Sequence, residues 1–287
     1  MIKISFVIPA YNEEGYIRSC LDAIVREING RDGYEIIVVN NNSNDKTREI
    51  AAGYPTVTVV DEEKKGIVFA RRAGFMASHG DLIANIDADT MITPGWIDTA
   101  SAEFEKNRKL VALSGPFTYY DLPKTMQTGV RFFYYMTYSL YLLSRFVLRT
   151  GSVVQGGNFI VRRSALQAIG GYDISIAFYG EDTDIARRMS KIGDVKFTFA
   201  LPALTSGRRL AKEGTFTIGL RYTLNYFWIV LFNKPFTMTS TEVRFTDQKI
   251  TYRPESRIKE WIIALGAIVV AFAIIEVLIY AFSRFRL

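Results

Sequence analysis

The order of apolar runs in the first 115 residues constrains the fold of this chain more than any other feature. Residues 2–8, 35–39, 57–60, 82–86 and 110–113 are short runs rich in β-branched residues, and the stretches 14–27, 45–52, 67–78 and 96–106 between them carry helix-like spacing. Strands that alternate with helices in this way are returned to the same end of a sheet by each crossover. The pattern therefore predicts an α/β fold, a mainly parallel, twisted sheet flanked by helices on both faces. With 49% of its 287 residues hydrophobic, the chain can bury such a core and still carry an appendage.

The texture changes after Pro116. Residues 130–148 are crowded with Tyr, Phe and Leu but interrupted by Arg131 and Arg145, which suits a packed or interfacial helix better than a membrane span. A second aromatic run, 216–232, lies in a basic region, since residues 206–259 hold ten Lys or Arg against four Asp or Glu. Core packing and membrane contact both explain these aromatics. Residues 261–282 form an apolar stretch with one charge, Glu276, and as a helix would span roughly 33 Å, enough for a bilayer core. Arg253, Arg257 and Lys259 precede it, so the expectation is a single-pass transmembrane helix with the preceding domain on the cytoplasmic side. The first apolar run is short and ends at Pro9, unlike a signal peptide, which agrees with a cytoplasmic N-terminus. The net charge of +6 is explained by the basic region, and its expected partner is an anionic membrane surface, with no nucleic acid implied.

Single residues narrow the chemistry. Cys20 has no partner for an internal disulfide, fits a reducing compartment and reads as a small core residue. His79 is the only histidine, which excludes multi-histidine metal sites and histidine-based triads, and its place before Gly80 suggests a helix-end cap.

Five motifs carry the functional signal, in chain order. The exit of the first strand reads Pro9-Ala10-Tyr11-Asn12-Glu13-Glu14, which could hold a base or ribose. The second strand ends in Asn40-Asn41-Asn42-Ser43-Asn44-Asp45, side chains that donate and accept hydrogen bonds. Gly66 to Gly74 brings in Arg71, either a cation beside a nucleotide or a surface salt bridge. Asp87-Ala88-Asp89 closes the fourth run. Residues i and i+2 of a strand share a face, so both carboxylates can converge on one divalent cation at the carboxyl end of the sheet, where open α/β folds bind ligands. The last is Gly156-Gly157-Asn158-Phe159 with Arg162-Arg163, followed by Phe178-Tyr179-Gly180-Glu181-Asp182-Thr183-Asp184. The glycine pair permits close backbone approach or forms a plain tight turn.

Taken together, residues 1–210 resemble the family 2 glycosyltransferases, which have the A-type glycosyltransferase fold. The resemblance implies inverting transfer of a sugar from a nucleotide-diphosphate donor, for which a UDP-sugar is the leading candidate; the anchor and the aromatic basic run, which would hold the site near lipid, point to a glycan or polyprenyl-phosphate-linked acceptor. It implies Asp87 and Asp89 as the motif for Mg²⁺ or Mn²⁺ and Asp182 as the general base; Glu181 reads either as orienting acceptor or base or as a structural cap. Pro9, Tyr11, Glu13, Asn40, Asn41, Arg71, Asp87 and Arg208 are the implied nucleotide-sugar contacts. Asp184 reads either as a helix N-terminal charge or as part of the site. Two departures stand out. Members commonly carry Asp-Asp-Gly-Ser where this chain has Asn40-Asn41-Asn42-Ser43, which removes a charge near the base. The Gln-x-x-Arg-Trp motif of processive members is absent, and Ser206-Gly207-Arg208-Arg209-Leu210 stands in its region, as a diphosphate clamp or a solvated loop.

The expected organisation is a catalytic domain over 1–210, a basic and aromatic membrane-proximal connector over 211–260 and the transmembrane helix over 261–282, with self-association left open. Two other readings stay in view. A sugar nucleotidyltransferase would use a similar sheet and metal but calls for a Gly-rich loop after the first strand, which Pro9 to Glu13 lacks. A catalytically degenerate, membrane-tethered nucleotide-binding or scaffold protein would account for the triple Asn. A dehydrogenase is disfavoured because no Gly-x-Gly-x-x-Gly follows the first strand.

Overall fold

The computed structural model describes residues 3–143, 153–176 and 180–214, together with 218–219, 221–222, 224–225, 228–229 and 236–237. The expected transmembrane stretch 261–282, most of the connector, and Phe178-Tyr179 lie outside the described residues. Among the described residues no helix is long and apolar enough to cross a membrane.

The first half alternates as the sequence predicts. In chain order come β1 (Ile4–Ala10), α1 (Ile17–Ile28), β2 (Tyr34–Asn40), α2 (Thr47–Ala52), β3 (Val57–Asp61), α3 (Ile67–Ala77), β4 (Leu82–Ile86), β5 (Thr90–Ile92), α4 (Trp96–Lys106) and β6 (Leu110–Ser114). Then follow β7 (Phe117–Tyr119), α5 (Lys124–Leu143), β8 (Asn158–Arg162), α6 (Arg163–Ala168), α7 (Glu181–Met189), β9 (Asp194–Phe197), β10 (Ala203–Thr205) and α8 (Arg208–Glu213). The main sheet has seven strands in the order β3-β2-β1-β4-β8-β6-β9. It is parallel throughout except for β8, which runs antiparallel between β4 and β6.

Packing follows the periodicities. Helix α1 buries Ile17, Cys20, Leu21 and Ile24, an i, i+3, i+4, i+7 stripe, against one face of the sheet. Strands β1, β4 and β8 are buried on both faces, which is why their runs are continuously apolar rather than alternating. Helix α3 covers the other face and comes unusually close, because a Cβ on Gly74 would overlap Val7 and crowd Val39. In the core, Asn158 makes a polar knot. Its Nδ2 donates to the carbonyls of Gly115 (3.1 Å) and Leu201 (2.9 Å), and its Oδ1 accepts from Trp96 Nε1 at 3.0 Å. A buried amide satisfied on both ends ties β8 to two loops, its hydrogen bonds offsetting the cost of desolvation.

The sequence reading contains no trace of the second sheet, three short strands in the order β5-β10-β7. Each of its strands has three residues, too few to show a period. Helix α5 packs beside it over Phe117, Leu122, Phe197 and Ala203, so the described part of the 130–148 run is a packed helix. His79 follows α3 and points away from the carboxyl end of the sheet. Its N–H donates to Glu35 Oε1 (2.5 Å) and its Nδ1 lies 3.2 Å from Glu35 Oε2.

Candidate active site

Strands β1, β2 and β4 run parallel and therefore deliver their exit loops to one end of the sheet. Because β8 is antiparallel to β4, with Ile86 opposite Asn158, the residues before β8 meet the residues after β4. Gly157 thus lies against Asp87, its carbonyl accepting the Asp87 N–H at 3.2 Å. Strand β10 is antiparallel to β5, with Thr205 opposite Thr90, and so carries Ser206-Gly207-Arg208 to the flank of Asp89. Two antiparallel pairings thus bring residues near 157 and 208 onto the acidic pair.

The loops after β1 and β2 are fastened to each other. The Asn12 N–H donates to Ser43 Oγ (3.1 Å), Asn44 N–H to Asn12 Oδ1 (2.9 Å), Glu13 N–H to Thr47 Oγ1 (2.7 Å) and Glu14 N–H to Asp45 Oδ2 (3.1 Å). Asn12 and Asn42 both adopt positive φ, 54° and 62°. Asn tolerates this region better than other residues with a Cβ, which suits both positions.

Asn40 and Asn41 are placed at this end, but their amides are engaged within the protein. Asn41 spends both Nδ2 protons on the carbonyls of Glu62 (3.0 Å) and Lys64 (2.7 Å), and its Oδ1 accepts from Gly66 N–H at 2.7 Å. Asn40 donates to Asp61 Oδ1 at 2.8 Å and accepts from Ser43 N–H at 3.3 Å. Asn41 shapes the rim and has no amide proton left for a base, whereas Asn40 has spent one of its two Nδ2 protons. Pro9 lies within β1 opposite Val39, and Tyr11 stands at the rim, where its hydroxyl accepts from Lys65 Nζ at 2.9 Å.

The acidic pair is held by two buried arginines. Arg71, 1% exposed, donates from Nη2 to Asp87 Oδ1 at 3.1 Å and from Nη1 to Glu181, and its guanidinium lies 5.3 Å from the Phe159 ring centroid. It is a strut between the metal motif and α7, with no surface face. Arg208 donates from Nη2 to Glu13 Oε1 at 2.6 Å, lies 3.0 Å from Asp89 Oδ2, and packs over the Tyr16 ring at 4.5 Å. Its Nη1 is buried without a hydrogen-bond partner among the described residues. Asp89 Oδ1 takes longer contacts from Thr205 (3.3 Å) and Thr90 (3.4 Å). Burial raises the Asp89 carboxyl, Arg208 pulls it back and Asp87 raises it again.

On the other side of the glycine pair sits α7. Asp182 Oδ2 accepts from Gly156 N–H at 3.1 Å and its Oδ1 from Thr183 N–H at 2.7 Å. Burial raises its pKa, against these donors and Arg71. Glu181 is pushed up to about 7, first by burial and then by Asp182, with Arg71 opposing. Asp184 pairs with Arg187 (3.2 Å) and Arg188 (2.6 Å) on its own helix, so it is a packing charge. Arg162 and Arg163 reach the carbonyls of Leu110 and Gly80 and play no part at this end of the sheet. Arg209 pairs with Glu213 at 3.2 Å.

Sequence reasoning missed Thr90, Thr205, Tyr16 and Asp121. Asp121 accepts from Ser206 Oγ and Gly207 N–H, both at 2.6 Å, and so positions the Arg208 turn. None of these residues stands in a recognisable motif. Only the pairing of β5 with β10 and the path after β7 reveal them.

The donor set suits a hard cation: two carboxylates, no sulfur and no imidazole. Among the described residues no group of three or more acidic, histidine or cysteine side chains could hold a metal ion alone. Asp87 and Asp89 would therefore share a cation with oxygens of the ligand and water, the usual arrangement for Mg²⁺. Cys20 is not part of this set. It is fully buried, its Sγ 3.6 Å from the Asp87 carbonyl oxygen, with burial first and then Asp89 raising the thiol.

The space for Asp87 depends on Gly157, whose φ is +83° and whose missing Cβ would occupy the Asp87 carboxylate. Gly157→Ala is expected to displace Asp87 and weaken Mn²⁺-dependent nucleotide binding by at least about tenfold, the equivalent of one to two kcal/mol of strain. Titration calorimetry would check this. Unchanged affinity would mean that Asp87 tolerates the shift.

Residues 5–170 match the family described as Glycosyl transferase family 2. The probable glycosyltransferase YdaM of Bacillus subtilis is 31% identical over 202 residues, covering 67% of this chain and 47% of YdaM. Glycosyltransferase AglE of Haloferax volcanii is 33% identical over 100 residues, 33% of each chain. The chain thus spans half or less of these relatives. Among solved structures, the mannosyltransferase PcManGT from Pyrobaculum calidifontis, in complex with GDP-Man and Mn²⁺, superposes with a TM-score of 0.60 at 17% identity, over 78% of this chain and 63% of that one. S. aureus TarS 1–349 gives 0.56 at 16% identity, over 80% and 66%. These two establish the fold.

Proposed function

The chain belongs to glycosyl transferase family 2, and on that premise we propose that it is an inverting glycosyltransferase, moving a sugar from a nucleoside-diphosphate donor to a hydroxyl or phosphate acceptor. The observation that carries this reading is the Gly156-Gly157 turn, which seats Asp87 against one residue and Asp182 against the next. A carboxylate suited to the leaving diphosphate and a carboxylate suited to the acceptor proton thus flank one backbone turn.

Inversion needs one base on the side opposite the leaving group. Asp182 takes the acceptor proton as the acceptor oxygen attacks the anomeric carbon and the nucleoside diphosphate departs. Its raised pKa makes it a stronger base than an exposed aspartate. Arg71 keeps Glu181 and Asp87 in register across the turn. The unpaired Nη1 of Arg208 is a buried donor suited to a diphosphate oxygen, where a charged hydrogen bond is strongest. Mg²⁺ or Mn²⁺ held by Asp87 and Asp89 would supply neutralisation of the leaving charge.

A UDP-sugar is the first donor to test. TarS has been solved with UDP and PcManGT with GDP-Man, so the fold accommodates either base. The acceptor in this reading is a lipid-linked sugar or polyprenyl phosphate at the cytoplasmic membrane, with the catalytic domain on the cytoplasmic side and 261–282 as the anchor. The support is the apolar stretch and the basic region before it.

The test is nucleotide release from UDP-, GDP- and dTDP-sugars with membrane lipid extract as acceptor, with Mn²⁺ or with EDTA. Metal-dependent release of nucleoside diphosphate supports the reading. Release of pyrophosphate would mark a nucleotidyltransferase, and binding without release a degenerate site. Unchanged transfer to a lipid acceptor in native membranes after deletion of residues 255–287 would remove the anchored-acceptor part.

Arg208 also permits a separate prediction. Its guanidinium already neutralises Asp89, so it competes with a cation until a diphosphate draws it away. Arg208→Gln is expected to tighten Mn²⁺ binding without nucleotide and to weaken nucleotide binding by about tenfold, given roughly 1.5–3 kcal/mol for a charged hydrogen bond. Equal loss of both affinities, measured by calorimetry, would show that Arg208 only shapes the site.

A further inference from the structure

Helix α5 buries one stripe and leaves the other uncovered. Met126, Val130 and Tyr134 recur every four residues and are buried in the cluster around Phe117 and Phe197. At about 100° per residue, Phe132, Tyr135 and Leu142 fall on the opposite side, where they are 54%, 57% and 37% exposed. Arg131 is exposed beside them. A second exposed group follows α8: Tyr222, Leu224, Trp228 and Phe236, with the Trp228 and Phe236 rings 5.1 Å apart.

The elements that carry the two groups touch each other, and the second adjoins the start of α7. Gly219 lies beside the Phe133 ring of α5, and Ile229 lies so close to Gly180 that a Cβ there would overlap it. Gly180 directly precedes Glu181 and Asp182. Trp228 of the second group is thus next in sequence to a buried residue packed on the start of α7, the helix that bears Asp182.

Exposed aromatic surface on this scale marks a contact face. Its mixture of Phe, Tyr, Trp and Arg is that of a bilayer interface, where amphipathic rings sit at headgroup level. A second copy is a poor occupant, because the chain carries +6 and residues 206–259, the stretch to which the second group belongs, hold ten Lys or Arg against four Asp or Glu. The same charge is attracted to an anionic leaflet, by about 1 kcal/mol per basic residue close to it. The apolar stretch 261–282 begins soon after the last described residues, which would keep this face near such a surface.

We propose that the outer face of α5, with Tyr222, Leu224, Trp228 and Phe236, lies on an anionic lipid bilayer and turns the acceptor side of Asp182 toward the headgroups. This deepens the lipid-acceptor reading and rests on it only for its purpose. The surface itself can be tested without turnover.

Cys20 is fully buried, so a cysteine introduced at an exposed position can be labelled selectively. The full chain carrying Phe132→Cys or Tyr135→Cys would be labelled with an environment-sensitive fluorophore and reconstituted into phosphatidylcholine and phosphatidylglycerol vesicles. Met76→Cys, 74% exposed on α3, serves as the control. The expected result is a blue shift at 132 and 135, loss of most of that signal with lipids brominated near the carbonyl, and neither change at 76. If 132 and 135 behave like 76 while the protein sediments with vesicles, the proposal is overturned. A blue shift insensitive to brominated lipid would equally overturn it, in favour of a protein occupant. Lipid contact without transferase activity would leave this surface standing and remove the functional reading.

Discussion

Asp182→Asn is expected to lower turnover by about 10²–10⁴-fold, the usual contribution of a positioned general base, while nucleotide-sugar affinity stays near that of the wild type. Affinity is spared because Asp182 lies across the Gly156-Gly157 turn from Asp87, Asp89 and Arg208, the groups suited to the diphosphate. The substitution is not structurally silent. Asp182 accepts at both oxygens, from Thr183 N–H and Gly156 N–H, whereas an amide accepts at only one. The unmatched donor is expected to cost about 1–3 kcal/mol, so the variant must be shown folded by its melting transition before kinetics are compared. Single-turnover transfer with a matched acceptor separates the two effects. Transfer within about tenfold of wild type by folded variant would fall below the range for a base and would exclude Asp182 from that role. The wild-type rate should rise with pH through an inflection above the ordinary aspartate range, because burial raises the acid form and only the ionised form takes the proton.

Arg71→Leu is expected to produce the largest loss of stability of any single change at this end of the sheet. The guanidinium is 1% exposed and compensates Glu181 and Asp87 together. Removing one member of a buried ionic group leaves the others uncompensated, a loss of about 3–5 kcal/mol. At roughly 2–4 °C per kcal/mol for a domain of this size, the melting temperature should fall by about 10 °C. Arg71→Lys should rescue little, since a single ammonium cannot fork between two carboxylates. Arg71→Met combined with Glu181→Gln should recover part of the loss, because the buried charge is removed with its partner. The deficit of Arg71→Leu should also grow with pH. Glu181 in the folded protein is already raised to about 7 by burial, and without Arg71 it rises further. A group whose folded pKa lies above its unfolded value contributes stability at low pH and loses it as pH rises through the folded value. Melting in EDTA at pH 6 and pH 8 would measure this. A melting temperature unchanged from wild type at both would show that the strut carries no stability.

The backbone alternation was legible because it is local. Predicted runs at 82–86 and 96–106 coincide with β4 and α4, and the other runs of the first half differ only at their ends. The spacing of Asp87 and Asp89 was legible but its geometry was not: both lie in the turn between β4 and β5, closed by the Thr90 N–H on the Asp87 carbonyl at 2.9 Å, so strand parity does not set how they face. The role of Asn41 was not legible either, since a free amide and one spent on the Glu62 and Lys64 carbonyls look identical in sequence. Arg71 likewise read as a nucleotide contact or a surface cation, and its burial depends on how closely α3 approaches the sheet and on where α7 docks.

What the sequence by itself determined is the α/β class, the order of its elements and the carboxyl end at which the exit loops and the acidic pair gather. Periodicity and strand parity act over a few residues and need no tertiary knowledge. Only the tertiary structure decided that β8 runs antiparallel, that Gly157 backs Asp87, and that two arginines lock the site. Arg71 and Glu181 are 110 residues apart and Arg208 and Glu13 are 195 apart. Contacts at such separations carry no local signature, because they are selected by the packing of whole elements and by the cost of leaving a buried charge unpaired.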